Sequence, residues 1–249
     1  MELFIFIILG FLAEMIDGTA GMAYGVSSNT FLRTAGVPSA VSSACVHAAE
    51  MFTTLASGIA HWRMGNVDKR LFKMLLIAGI PGGILGAWLL ASFESLVLDI
   101  IIDVYLIVMG LVILVKGIRM KRTQRDFGPY AYPLGFVGGF TDALGGGGWG
   151  PVVTSTLLAS DHEPRVSIGT VNTAEFFVTV AETTTFLIML NSFMQYWTIV
   201  IGLIIGGVIA APLAARLTKV LPIRGILLFV GILVIVLNTY KLIGALGVI

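Results

Sequence analysis

Apolar residues run along this chain in continuous stretches, without the period-two alternation of a barrel strand, so the pattern predicts membrane helices. A crossing helix needs about 20 apolar residues. Full-length helices are predicted at 40–61, 72–92, 98–118, 167–190, 196–215 and 224–246. Two other apolar segments, 3–32 and 133–159, are interrupted. The second carries DALGGGGWGP, Asp142 to Pro151, and the first carries DGTAGMAYGV, Asp17 to Val26. A run of glycines loses too much backbone entropy to continue a helix. Backbone broken inside a membrane leaves N–H and C=O groups that protein, water or ligand must satisfy. Two interrupted segments at matching places in two halves point to a transporter's binding region.

The halves match at one constant spacing: Gly10 with Gly135, Asp17 with Asp142, Gly21 with Gly146, Gly25 with Gly150, Glu50 with Glu175 and Thr54 with Thr179. Matched Asp, Glu and Gly residues are hard to attribute to shared hydrophobicity, and they predict an internal duplication. Loop charge sets the orientation. The loop after the first full helix is basic (Arg63, Lys69, Arg70, Lys73) and the next is acidic (Glu94, Asp99). In the second half the loop near Asn191 is uncharged and the next carries Arg216, Lys219 and Arg224. Basic loops stay cytoplasmic, so the halves are expected to lie in opposite orientations.

The predicted fold is therefore an all-α polytopic membrane protein built from two inverted repeats. Each repeat is a re-entrant broken helix, a helical hairpin, followed by three transmembrane helices. The hairpin tips fall near 18–25 and 143–150, and every Lys and Arg except Arg33 and Lys241 lies inside. The expected units are a first repeat at 1–120, a cytoplasmic linker at 121–132 and a second repeat at 133–249.

Composition agrees. The 249 residues are 57% hydrophobic and 12% charged, half the charge of a soluble domain, which carries about 25%. The N-terminus MELFIFIILG lacks the basic start of a cleaved signal peptide and is taken as the first membrane segment. No basic block suggests a nucleic-acid partner. The single Cys45 excludes an internal disulfide and a multi-cysteine metal site.

The candidate chemistry lies at the breaks. A half-helix starting after each glycine stretch directs free N–H groups and a positive dipole end toward the midplane. Gly21, Tyr24 and Gly25 in one half, and Gly145, Gly146, Gly147, Gly148 and Trp149 in the other, form the expected anion site. Close helix packing is the alternative use of these glycines. Glu50 and Glu175 sit mid-helix, with His47 and Asn172, expected to bind substrate, one turn earlier and Thr54 and Thr179 one turn later on the same face, a polar stripe lining the substrate cavity. Intramembrane carboxylates are functional candidates. They either carry protons for coupling or cap the broken backbone. Asp17 and Asp142 precede the breaks and read as caps or turn residues. Glu182 has no acidic mate, because Ser57 occupies the matching position. No Lys or Arg falls deep in a predicted helix. No metal site and no cofactor is expected.

These residues resemble the TauE/SafE family of sulfite exporters over nearly the whole chain. The resemblance rests on GTAGMAYG and GGGGWGP, on ACVHAAE and GTVNTAEFF after them, and on the HWRMGNVD loop. It implies a multi-pass secondary transporter of the cell inner (plasma) membrane, moving a small sulfur-containing anion, sulfite first, on an ion gradient. Thiosulfate or an organosulfonate is the alternative cargo. The first tip departs from the pattern, with Ala20, Met22 and Ala23 where the second half has glycine, so the half-sites need not be equivalent.

Two other classes were weighed. A metal-cation permease would use His47, Glu50 and Glu175, but the glycine-rich helix starts do not suit it. An intramembrane enzyme would need a nucleophile and base, and Ser27 or Ser28 with His47 is the one conceivable pair. No enzyme is expected. The expected partners are the anion and the lipid bilayer, and a homo-oligomer is compatible with the sequence.

Overall fold

The computed structural model describes residues 2–20, 22–93, 95–118, 128–159, 164–191, 193–217 and 223–246. Gly21, Glu94 and most of the predicted linker 121–132 lie outside them. The described chain is helical: α1 (Glu2–Ala20), α2 (Tyr24–Thr34), α3 (Ser39–Arg63), α4 (Lys69–Ser92) and α5 (Leu96–Ile118), then α6 (Ala131–Gly145). A π turn (Gly150–Thr154) leads into α7 (Ser155–Ala159), followed by α8 (Pro164–Met189), α9 (Trp197–Leu217) and α10 (Ile223–Ala245). Both apolar segments predicted to break do so, with non-helical backbone at 22–23 and 146–148.

Local chemistry sets several ends. The Asp68 carboxylate caps α4 by accepting from the N–H groups of Arg70 (2.8 Å) and Leu71 (3.1 Å). Gly146 closes α6 in the left-handed conformation, φ 64°, which glycine adopts without a Cβ penalty. Pro151, with no N–H to donate, sits in the π turn where the i→i−4 ladder is already interrupted.

Among the described residues four segments are long and apolar enough to cross a membrane: Lys69–Ser92, Leu96–Val115, Phe193–Ala211 and Leu227–Ala245. Their outer faces expose large apolar side chains such as Ile77, Ile101, Val208 and Phe229, which suits lipid and would be a liability in water. The 25-residue α3 and 26-residue α8 are long enough at about 1.5 Å per residue but more polar. They pack on each other, and residues 40–50 of α3 are all buried. Shielded helices can carry polar side chains that lipid would exclude.

The packing pairs exchange between the halves. The first interrupted helix, α1, lies on α9 of the second half, and the second, α6, lies on α4 of the first. Gly10 and Gly135 make equivalent contacts: a Cβ on Gly10 would lie 2.5 Å from the Leu203 carbonyl oxygen, and one on Gly135 would lie 2.7 Å from that of Leu75. Small residues at such points let helix backbones touch, the main source of packing energy between helices in lipid. Helices α5 and α10 pair with each other, as do α3 and α8.

Arg33, in the last turn of α2, is 1% exposed, so a basic side chain is buried in protein at that helix end. Its Nη1 donates to Asp103 at 2.6 Å and its Nε to Ser39 at 2.9 Å, and its Nη2 sits 3.5 Å from Asp99. Two α5 carboxylates compensate the charge, which is the condition for burying it. From sequence, Arg33 reads as a loop residue because its partners lie about 70 positions away.

Candidate functional site

The two breaks meet. A Cβ on Gly25 would lie 2.5 Å from the Cα of Gly147, so the tips press backbone against backbone and only glycine fits there. Each tip is closed by the aspartate that precedes it, with the same reach. Asp17 Oδ1 accepts from the Tyr24 N–H at 3.3 Å. Asp142 Oδ1 accepts from Gly148 at 2.6 Å and from Trp149 at 3.0 Å, while its carbonyl takes the N–H groups of Gly146 and Gly147. Much of the donor capacity that the glycine run could offer a ligand is thus used by Asp142. At the first tip the turn falls to Ala23 at φ 99°, a conformation that costs an L-residue about 1–2 kcal/mol.

Carbonyls at the end of α6 are met by side chains from the first half. The Ser43 hydroxyl donates to Ala143 O at 2.6 Å. Asn29 donates from its amide nitrogen to Gly145 O and accepts from Ser42 at its amide oxygen. The break is therefore satisfied by protein groups, as the membrane interior requires.

Beside the tips is a small cavity of about 10 Å³, room for roughly one water. Four carboxylates border it: Asp17, Glu50, Asp142 and Glu175. Tyr24, Gly25, Gly147 and Asn172 border it too, with Ala23, Gly150 and Pro151. Glu50 is buried, and its Oε2 has no hydrogen-bond partner among the described residues. Thr54 and Thr179 turn back onto their own helices, donating to the carbonyls of Glu50 (2.6 Å) and Glu175 (3.0 Å).

Other candidates lie outside that cavity. Gly145, Gly146 and Gly148 pack behind it, against Tyr105 and Asn29. Trp149 is fully buried against Gly79 and Val178, and its indole N–H donates to Val171 O at 3.2 Å. His47 lies below the second tip. Its Nδ1 is 2.7 Å from Ser43 O, and a carbonyl can only accept, so Nδ1 carries the proton. Its Nε2 faces Glu182 Oε2 at 3.0 Å and Asp142 Oδ2 at 3.5 Å, although neither contact is aligned as a hydrogen bond. Sequence alone leaves the role of Glu182 open. The signal lay in the broken symmetry: Asn172 and Ser57, the repeat mates of His47 and Glu182, also meet, at 2.8 Å.

A second, more open pocket of about 330 Å³ lies where α2 and α10 end and α5 begins, bordered by Arg33, Asp99, Asp103 and Lys241. Lys241 Nζ donates to Arg33 O at 2.9 Å.

A multi-pass helical bundle in which two interrupted apolar helices meet at buried carboxylates has the make-up of a membrane transporter. The chain belongs to the sulfite exporter TauE/SafE family, whose model matches residues 6–240. It is 40% identical over 255 residues to the probable membrane transporter protein YtnM of Bacillus subtilis (strain 168), covering 97% of this chain and 83% of that one. It is 24% identical over 267 residues to the probable membrane transporter protein YunE of the same organism, covering 96% of each chain. No solved structure matches it.

Proposed function

We propose that the chain is a secondary transporter of a small sulfur-containing anion, sulfite first, held where the two interrupted helices meet. One observation carries the reading: the starts of α2 and of the π turn, at Tyr24–Gly25 and Gly150, both border one buried cavity. Two positive helix ends directed at one point favour an anion without a buried Lys or Arg beside it. The cavity is smaller than a sulfite ion, so loading requires the tips to part, as alternating access between two repeats would do.

The topology that goes with this is the inverted repeat with re-entrant hairpins. Phe6 packs on Gly202 and Phe11 on Gly206, so α1 runs in the same sense as α9. Asn238 bonds Thr30 and Lys241 bonds Arg33, so α2 runs in the same sense as α10. Successive crossings by α9 and α10 would then carry α1 in and α2 back out. Glu50 and Glu175 are the proposed proton carriers. Glu50 and Glu175 border the same cavity from the two halves, and a carboxylate within a membrane segment is a functional candidate.

The same four carboxylates favour a second reading, a cation permease, since oxygen ligands suit cations. Thermal-shift competition in detergent separates the two. Sulfite and thiosulfate are expected to raise the midpoint in a saturable way. Stabilisation by divalent or monovalent cations with no response to either anion would overturn the anion reading.

A further inference from the structure

We propose that His47, Asp142 and Glu182 form a binding site for one divalent transition-metal ion of the zinc type. The proposal goes beyond the transport reading and does not depend on which substrate moves. From sequence alone no metal site is assigned, and the trio assembles only in the fold, from α3, the second tip and α8. One ligand atom from each residue lies within 4.8 Å of the others.

The site has features that a mere acidic cluster lacks. All three side chains are buried, His47 and Glu182 at 0% exposure and Asp142 at 1%. Nε2 of His47, Oδ2 of Asp142 and both carboxylate oxygens of Glu182 have no hydrogen-bond partner among the described residues. Buried polar atoms are rarely left so, and four in one place call for a ligand. Each ligand atom is also aimed by its neighbour. The Nδ1–H of His47 is committed to Ser43 O, which fixes the tautomer with the Nε2 lone pair free, and metal-bound imidazoles almost always have such a partner. Asp142 is anchored through Oδ1 by two backbone N–H groups, which leaves Oδ2 directed at His47.

The two separations from Nε2 fit. Two ligands about 2.0–2.1 Å from one ion are about 2.9 Å apart at an octahedral edge and about 3.4 Å apart at a tetrahedral one. Here Nε2 is 3.0 Å from Glu182 and 3.5 Å from Asp142. Charge fits as well, because two carboxylates and a neutral imidazole balance a divalent cation in a medium that penalises net charge. The imidazole disfavours hard Mg²⁺ or Ca²⁺, and the absence of thiolate from the trio disfavours Cu⁺. Room for Glu182 comes from Gly83 of α4, where a Cβ would lie 2.5 Å from Glu182 Oε1.

The test uses the full chain in detergent, stripped with a chelator and titrated with zinc chloride by calorimetry. One saturable zinc per chain is expected, with affinity reduced at least tenfold by Glu182→Gln and by His47→Gln and unchanged by the exposed Glu2→Gln. Should the first two variants not fold, X-ray absorption of the zinc-loaded wild type decides, with one imidazole and otherwise oxygen ligands expected. No stoichiometric binding, unchanged affinity in both trio variants, or a sulfur-containing or multi-imidazole shell would overturn the proposal. Sulfite binding by the same preparation reports on the transport reading separately.

Discussion

Two matched places in this molecule hold different chemistry. In one, Asn172 donates a hydrogen bond to Ser57. In the other, the equivalent positions are His47 and Glu182, joined by Asp142. Helices α3 and α8 bring both pairs together by the same crossing, so the duplication supplies the geometry twice. What differs is charge. A neutral amide–hydroxyl pair satisfies itself and serves as structure, whereas a buried imidazole between two carboxylates is expensive unless something neutralises it. A shared backbone thus holds a neutral pair on one side and charged groups on the other.

The aspartates at the tips give the strongest way to break that comparison. Asp142 caps two N–H groups and Asp17 is seen to cap one. Asp142→Ala is expected to lower stability by about 3 kcal/mol and Asp17→Ala by about 1 kcal/mol, since a bond to a charged acceptor contributes roughly 1.5–3 kcal/mol when buried and less when long. Thermal unfolding followed by helical signal measures both, and equal losses would remove the asymmetry. A sharper test makes the two sites alike. His47→Asn with Glu182→Ser copies the neutral pair into the charged place. The double variant is expected to be more stable than Glu182→Ser alone, which leaves His47 facing Asp142 without its second carboxylate. Additive losses from the two changes would mean that the pairs are not equivalent. The smallest effect is at the first tip, where Ala23→Gly should raise stability by about 1 kcal/mol by relieving the positive φ.

Much of the architecture was legible in the sequence because lipid imposes it. Continuous apolar runs have few ways to fold in a bilayer, so helices such as α4 and α5 emerge close to their predicted ends. The breaks were legible at Gly145 to Gly148 because four glycines have no helical rationale. The pairing of His47 with Glu182 was not, because those residues come from different halves and no local pattern links them. Burial of Arg33 escaped because its partner Asp103 lies 70 positions away on α5, beyond any local pattern. Trp149 looks like a site wall on its position beside the glycines, yet it fills the space that Gly79 and Gly138 leave behind the tip. Glycine at those positions signals a close approach without naming what approaches.

Flux of labelled sulfite into proteoliposomes of the purified protein, with and without an imposed pH gradient, tests the central claim most directly. Flux is expected to follow the gradient in the wild type and to lose that dependence in Glu175→Gln. Absence of sulfite flux under every gradient, with thiosulfate and organosulfonates equally inert, would contradict it.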